Sequence, residues 1–461
     1  MKRTVGLISV IAACTSFLVV SNQGDTAAGE SANCGVDDAR IQEFMTVRKT
    51  FAFDSSQEHV RDVSCPTNAV EHGGLGIPLN DAESAEIDRR NVVGETFATI
   101  STQELLAVPD RFAGIWLDQA AGGVVVVAYV GNGDDRLTVI RKLLPLGTAV
   151  KLVVGQTTLA RLNEISDRLR AAIQMLARDQ IFMIDGSSDI IDGVYSISIS
   201  QSAPKDAEER IALSVGGWQG LVIQRVAATS AGLQNARDTP TGRAYGGTSI
   251  GRLSGGTYWT CTASPSAKST STYYVVTAGH CGHPDWTWFQ GFPPTYVGTT
   301  LGQGQGNTLY PPPSSRETDC DCQGIGPVSS AKRTAGTLLS NNSVYLYYDT
   351  ALSEASYYTN RPVCLAGARS WQVYGENLCG LITDLDGMAS LTPNGVLVQL
   401  VDQIGTNITR SQGGDSGGPY GDGRYWMGIH SYITANGSFA YFSRTTRLGS
   451  SLGIDLINLG Y

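Results

Sequence analysis

Charge is scarce in this 461-residue chain: Asp, Glu, Lys and Arg make up 16% of it, and histidine occurs five times. So little charge, beside 42% hydrophobic residues, excludes a disordered polyelectrolyte. Basic excess is lacking too. The 33 Lys+Arg face 42 Asp+Glu, a net charge of −9, which argues against broad nucleic-acid binding through a basic footprint. The nine cysteines form no CxxC…CxxC set, so no metal is expected, and nothing in the sequence calls for another cofactor. No internal repeat is visible, which removes solenoids and propellers. Apart from the extreme N-terminus, no apolar run is long enough to span a bilayer.

That N-terminus reads as an export signal over residues 1–28. Lys2 and Arg3 give a basic start, residues 5–20 are almost uninterrupted apolar chain, and Thr26-Ala27-Ala28 offers a small-residue cleavage site. Secretion places the chain where disulfides form. Ile11-Ala12-Ala13-Cys14 also fits a lipobox, so anchoring through Cys14 is the alternative to free release. After processing, no membrane association is expected.

Composition divides the rest. Of the 19 tyrosines, 17 lie after residue 238. The part up to residue 237 carries 28 acidic and 21 basic residues, the part after it 14 and 12. The expected units are therefore 29–237 and 238–461, joined in the small, polar, turn-forming stretch 231–247. In the first unit, residues 158–179 place Leu159, Leu162, Ile165, Leu169, Ala172, Ile173 and Leu176 on one helical face. Residues 124–130 and 194–200 read as strands, and 112–123 (FAGIWLDQAAGG) as a hairpin turning at Gly122-Gly123. His59 and His72 stand in polar surroundings and read as surface residues, and Cys34 and Cys65 are a candidate pair. The second unit reads as all-β, with Val/Tyr/Thr-rich runs at 273–277, 343–348, 396–401, 426–432 and 439–444.

Two motifs carry chemistry. Thr277-Ala278-Gly279-His280-Cys281 ends an apolar strand, and Gly413-Gly414-Asp415-Ser416-Gly417-Gly418-Pro419 follows 132 residues later. A serine hydroxyl is a poor nucleophile until a base takes its proton, and histidine is the base suited to neutral pH. A buried carboxylate fixes the imidazole tautomer. Glycines beside the serine leave backbone N–H groups bare for an oxyanion, here those of Gly414 and Ser416. Gly414-Asp-Ser-Gly-Gly418 also satisfies G-x-S-x-G. An α/β-hydrolase needs its acid and then its histidine after the serine, and only Asp422 and His430 follow, in too little chain for the remaining sheet.

His280 and Ser416 sit in motifs that resemble those of chymotrypsin-fold serine peptidases, in the same order of histidine, acid and serine. The likeness is nearest to the secreted bacterial branch of alpha-lytic protease and the streptogrisins. It extends to Pro362-Val363-Cys364…Leu378-Cys379-Gly380, which is similar to that branch's disulfide loop, and to residues 112–123, which resemble its prosegment. The resemblance implies a mainly β fold: a double six-stranded β-barrel catalytic domain at 238–461, preceded by an α+β prosegment at 29–237. The prosegment would be folding catalyst and inhibitor in cis. The activity implied is that of a monomeric secreted endopeptidase acting on proteins or peptides, made as a zymogen. It also implies the disulfides Cys261–Cys281 and Cys364–Cys379. Cys320 and Cys322 are left to pair with each other, stay free or rearrange the scheme.

The acid lies among Asp285, Asp319, Asp321, Asp349, Asp384, Asp386 and Asp402. Asp321, 41 residues after His280, has the family-like spacing and is preferred; Asp319 is next, since two residues apart in a strand they share a face. Arg410 stands where trypsin-like enzymes carry aspartate, so trypsin specificity is not expected. Ser431 matches a serine that bonds the triad acid. His430 matches a histidine that binds substrate carboxylates in some glutamyl endopeptidases, and Arg410 would reinforce such an anion site. Ile433, where many relatives have glycine, instead narrows the pocket for small apolar residues. No Ile-Val-Gly-Gly start is present, so Asp415 is expected to find a partner other than a new N-terminus. A catalytically inactive homologue that binds a partner remains the rival reading.

Overall fold

A computed structural model describes residues 36–454 except 37, 66–76, 182, 227–244, 255–256, 270–271, 292–298, 329–335, 339–344, 349, 375–376, 393–395, 423–424 and 435–436. The expected export signal with Cys14, Cys34, His72, Asp349 and most of the joint 231–247 therefore lie outside the described residues.

The first unit mixes helices with two small sheets. The expected helix runs Leu159–Arg178 and buries Leu162, Ile165, Leu169 and Leu176. Asn80 starts the helix Asp81–Gly94 with a capping box completed by Glu83. The expected hairpin pairs Phe112–Asp118 with Val124–Tyr129, and Gly122 and Gly123 turn it at φ of 77° and 73°. Val150–Val154 joins this sheet in parallel. A second sheet holds Met183–Asp189, Val194–Ser200 and Leu221–Val226. Tyr195, Ile197 and Ile199 alternate inward from it and pack against the helix Leu159–Arg178. His59 is not a free surface residue: its Nε2 lies 3.0 Å from Glu83.

Among its described residues, the second unit is built on strands with two short α-helices, Ala368–Tyr374 and Thr445–Leu452. One sheet runs in the order Thr257–Thr262, Ser249–Ser254, Thr287–Gln290, Thr299–Asn307, Gln323–Val328, Thr272–Thr277, Ser264–Ser269. Its first and last members are consecutive halves of one bent stretch, interrupted only at Ala263. In the other sheet Val398–Thr406, Ala440–Arg444, Tyr425–Ile433, Pro419–Gly421, Pro362–Leu365 and Leu378–Leu391 pair in turn, and the last pairs back onto the first.

The two units share a sheet. Leu378–Leu391 pairs with Met183–Asp189 through Met388↔Gly186 and Ala389↔Asp185, so the strands of the first unit extend the sheet of the second. Met388, Tyr358 and Leu381 of the second unit each enter an apolar cluster of the first. Asn360 and the first unit exchange hydrogen bonds: Gln119 donates to the Asn360 carbonyl at 2.9 Å, and Asn360 donates to the Leu117 carbonyl at 2.6 Å.

Carboxyl groups line this seam. Burial pushes Asp384 well above the usual carboxylate range. Burial also pushes Asp386 up to about 6, against the opposing pull of Ser166 and Arg170, which bond it at 2.7 and 3.1 Å. Asp402 adds negative charge beside Asp386, and Asp189 beside Asp384. A cavity of about 210 Å³ reaches both carboxyls from the first unit's Ser166 and Ser188. A carboxyl raised in the folded state stabilises it fully below about pH 4, and that contribution is lost as pH rises through its folded pKa. Asp384→Asn/Asp386→Asn in the full chain should therefore flatten the fall in urea midpoint between pH 4.5 and pH 7. An unchanged pH dependence would contradict this account of the seam.

Candidate active site

The strand Thr272–Thr277 delivers His280 on the short turn Gly279–Cys281. The disulfide Cys261–Cys281 ties that turn to the neighbouring strand. His280 Nδ1 lies 2.5 Å from Asp321 Oδ2, and the His280 backbone N–H donates to Asp321 Oδ1 at 2.8 Å. On the far side of the ring, Nε2 lies 2.9 Å from Ser416 Oγ. Asp321 is fully buried. Burial works against a charged imidazole here, but the Asp321 charge and hydrogen bond outweigh it and hold His280 above its ordinary value.

Asp319 does not compete for the histidine. The strand after the Asp-Cys-Asp-Cys run begins only at Gln323, so the two aspartates are not strand neighbours and do not share a face. Asp319 turns outward to Arg447 at 3.4 Å. Of the other candidates, Asp285 is exposed and lies near His283, and Asp384 and Asp386 belong to the seam between the units. Asp402 faces Arg170 and Arg447. The esterase-type order fails as well, because Asp422 pairs with Arg361, with Nε at 2.9 Å, and His430 meets Tyr420.

Ser416 is held by the opposite sheet. Thr262 donates its N–H to the Ser416 carbonyl and its hydroxyl to the Gly414 carbonyl, both at 2.8 Å. Ser264 donates to the Gly417 carbonyl at 2.7 Å, and Gly417 donates to the His430 carbonyl at 2.8 Å. Gly414 and Gly417 take φ of 110° and 84°, which other residues adopt only with strain. Among the described residues, the amide N–H groups of Gly414 and Ser416 have no acceptor. Side by side, they form the kind of bare donor pair that receives an oxyanion.

Asp415 finds its partners at the helix Ala368–Tyr374. Its carboxylate accepts from the backbone N–H groups of Arg369, Ser370 and Gln412 at 2.9, 2.8 and 2.7 Å, and from the Ser370 hydroxyl. Burial nevertheless pushes its carboxyl above the usual range.

The expected pocket residues scatter. Arg410 bonds Glu43 of the first unit at 3.1 Å and covers the Tyr374 ring. His430 is buried, its Nδ1 3.2 Å from Tyr420 Oη, and burial together with the His280 charge pushes it down to about 3. Ile433 is exposed near the end of its strand. Ser431 does not touch the acid's carboxylate. Its hydroxyl lies 3.1 Å from Ser443 Oγ, which accepts the Asp321 backbone N–H at 2.9 Å and donates to Gln403 at 2.9 Å. Ser443 and Gln403 were not anticipated, because neither lies in a motif: Ser443 meets Asp321, and Gln403 meets Ser443 and the Asp319 carbonyl, only through the folded sheet. Cys364–Cys379 and Cys320–Cys322 are bonded, and Cys65 is disulfide-bonded as well.

No family model matches the chain, and no curated protein matches it. Among solved structures it is similar to Thermobifida fusca protease A, at 20% identity and a TM-score of 0.35, over 47% of this chain and 98% of that one. A glutamic acid specific serine protease shares 20% identity at a TM-score of 0.35, over 46% and 98%. An alpha-lytic protease homologue, N4, shares 19% identity at a TM-score of 0.36, over 46% and 99%. Likenesses this low have no bearing on the chemistry, which rests on the side chains described above.

Removing the Asp415 carboxylate strands buried donors, each costing about 1–3 kcal/mol. Asp415→Ala should cost at least about 3 kcal/mol in urea unfolding, by the same magnitude. A loss under about 1 kcal/mol would show that these donors find other partners.

Proposed function

We propose that this chain is a serine endopeptidase that leaves the cell as a zymogen. The observation that carries the reading is the hydrogen-bonded line from buried Asp321 through His280 to Ser416, beside two bare amides. Ser416 Oγ attacks the scissile carbonyl carbon while His280 Nε2 takes its proton. Asp321 holds the Nδ1–H tautomer and offsets the imidazolium charge. The Gly414 and Ser416 N–H groups receive the negative oxygen of the tetrahedral intermediate. His280 then protonates the leaving amine, and water repeats the sequence on the acyl-enzyme.

Residues 238–461 are read as the catalytic domain with two six-stranded barrels, supported by the back-pairing of Leu378–Leu391 onto Val398–Thr406 and by the bend at Ala263. Residues 29–237 are read as the prosegment, supported by the shared sheet and the three shared clusters. An all-β unit with distant strand partners folds slowly, and a docked template lowers that barrier. Secretion after loss of residues 1–28 agrees with three disulfides between described cysteines. A pocket for acidic side chains gains little from His430, whose ring is neutral at working pH, buried, and tilted against Tyr420 at 5.9 Å. Ile433 ends its strand with a bulkier side chain than glycine, which supports a narrowed pocket, and small apolar residues on the acyl side of the bond are read as the preferred substrates.

Peptide-bond cleavage by the processed protein tests this reading. Ser416→Ala should abolish turnover. Asp321→Asn should lower kcat by about 10⁴-fold, the cost of fixing the wrong tautomer. Activity requires neutral His280, whose pKa is raised, so the acid limb of kcat/KM should fall above about pH 6.5. It should move to lower pH in Asp321→Asn. A folded, processed protein that cleaves nothing would favour the binding homologue.

A further inference from the structure

Among the described residues, the hydrogen bonds to the Asp321 carboxylate come from His280, one from its backbone and one from its ring. Both donors belong to the residue that the carboxylate is to orient, so no third group fixes where it sits. Its orientation has to come from the main chain.

That main chain is restrained on every side. Cys320 and Cys322 are bonded to each other, which closes a small covalent ring through the backbone of Asp321, and both sulfurs belong to fully buried residues. Thr308 laces the same ring. Its N–H donates to the Cys322 carbonyl at 3.1 Å, and its hydroxyl donates to the Cys320 carbonyl at 2.5 Å and accepts from the Cys322 N–H at 3.1 Å. The Asp321 N–H donates to Ser443, which is held in turn by Gln403, and Gln403 also donates to the Asp319 carbonyl at 3.2 Å.

The length of the bridged loop argues for a local role. A disulfide stabilises a fold by restricting the unfolded chain, and the effect grows with loop length. The three bridges between described cysteines span 20, 15 and 2 residues, so of these Cys320–Cys322 contributes least to overall stability by this route. What it restricts is the backbone of the one residue between its ends.

We propose that the Cys320–Cys322 disulfide, laced by Thr308, is the positioning device for the candidate triad acid. It takes the place of side-chain donors to the carboxylate, and Cys320, Cys322 and Thr308 are positioning residues that act through Asp321. This inference rests on reading His280, Asp321 and Ser416 as a triad.

The test compares the processed forms of Cys320→Ser/Cys322→Ser and of Thr308→Val with the parent enzyme, all made from the full chain. The disulfide variant should lose about 10-fold to 100-fold in kcat, since a misplacement of about 1 Å costs up to about 10²-fold. Its KM should hold and its acid limb should shift to lower pH. Thr308→Val should shift kcat and the acid limb in the same direction by less. A folded disulfide variant with parental kcat and acid limb would overturn the proposal, whatever its melting temperature. If that variant fails to fold, parental kcat and acid limb in Thr308→Val overturn it instead. Ser416→Ala and Asp321→Asn run in parallel: full activity in both would mean that the triad reading has failed, whereas their inactivity beside an unaffected disulfide variant sinks the positioning role alone.

Discussion

Ser416 and His280 belong to different sheets, and the distance between them has to be held near 2.9 Å for a proton to pass. Most of the local architecture serves that one contact. The bent stretch 257–269 lies on the histidine's side of the molecule yet bonds the serine loop, through Thr262 to the carbonyls of Gly414 and Ser416 and through Ser264 to Gly417. The same stretch is tied by Cys261 to the turn that carries His280. One piece of chain thus fixes both partners. Behind the serine, Asp415 anchors the loop to the helix Ala368–Tyr374 by three hydrogen bonds and closes the loop on itself by a fourth, from the Gln412 N–H.

The acid is supported in a different manner. Asp321 is buried at a point where the chain leaves a bend for a strand, and no regular ladder fixes its backbone. Covalent closure by its two neighbours and the Thr308, Ser443 and Gln403 bonds supply what a ladder would supply elsewhere. The first unit, for its part, completes a sheet edge that the second would otherwise leave open along Leu378–Leu391, an exposed liability in an all-β domain.

The histidine and serine were legible because their chemistry depends on neighbours in sequence: glycines free the backbone around Ser416, and the strand before His280 ends at a fixed offset. The hairpin at 112–123 and the helix near 158–179 were legible for a similar reason, since turn residues and apolar spacing are local. The choice between Asp319 and Asp321 was less clear. Strand periodicity made them equivalent, and the irregular stretch that separates them, bridged by a disulfide across one residue, carries no motif. Arg410 looked like a pocket residue because its partner, Glu43, lies 367 positions away in the other unit. His430 kept the right place in its strand but lost its charge to burial, which no motif records.

The most direct measurement is labelling of the secreted product with a fluorophosphonate, read by intact mass, peptide mapping and N-terminal sequencing. A single adduct is expected on Ser416, on a fragment that begins near residues 238–245. An unlabelled protein that retains the first unit under conditions where the second is folded would contradict the peptidase reading.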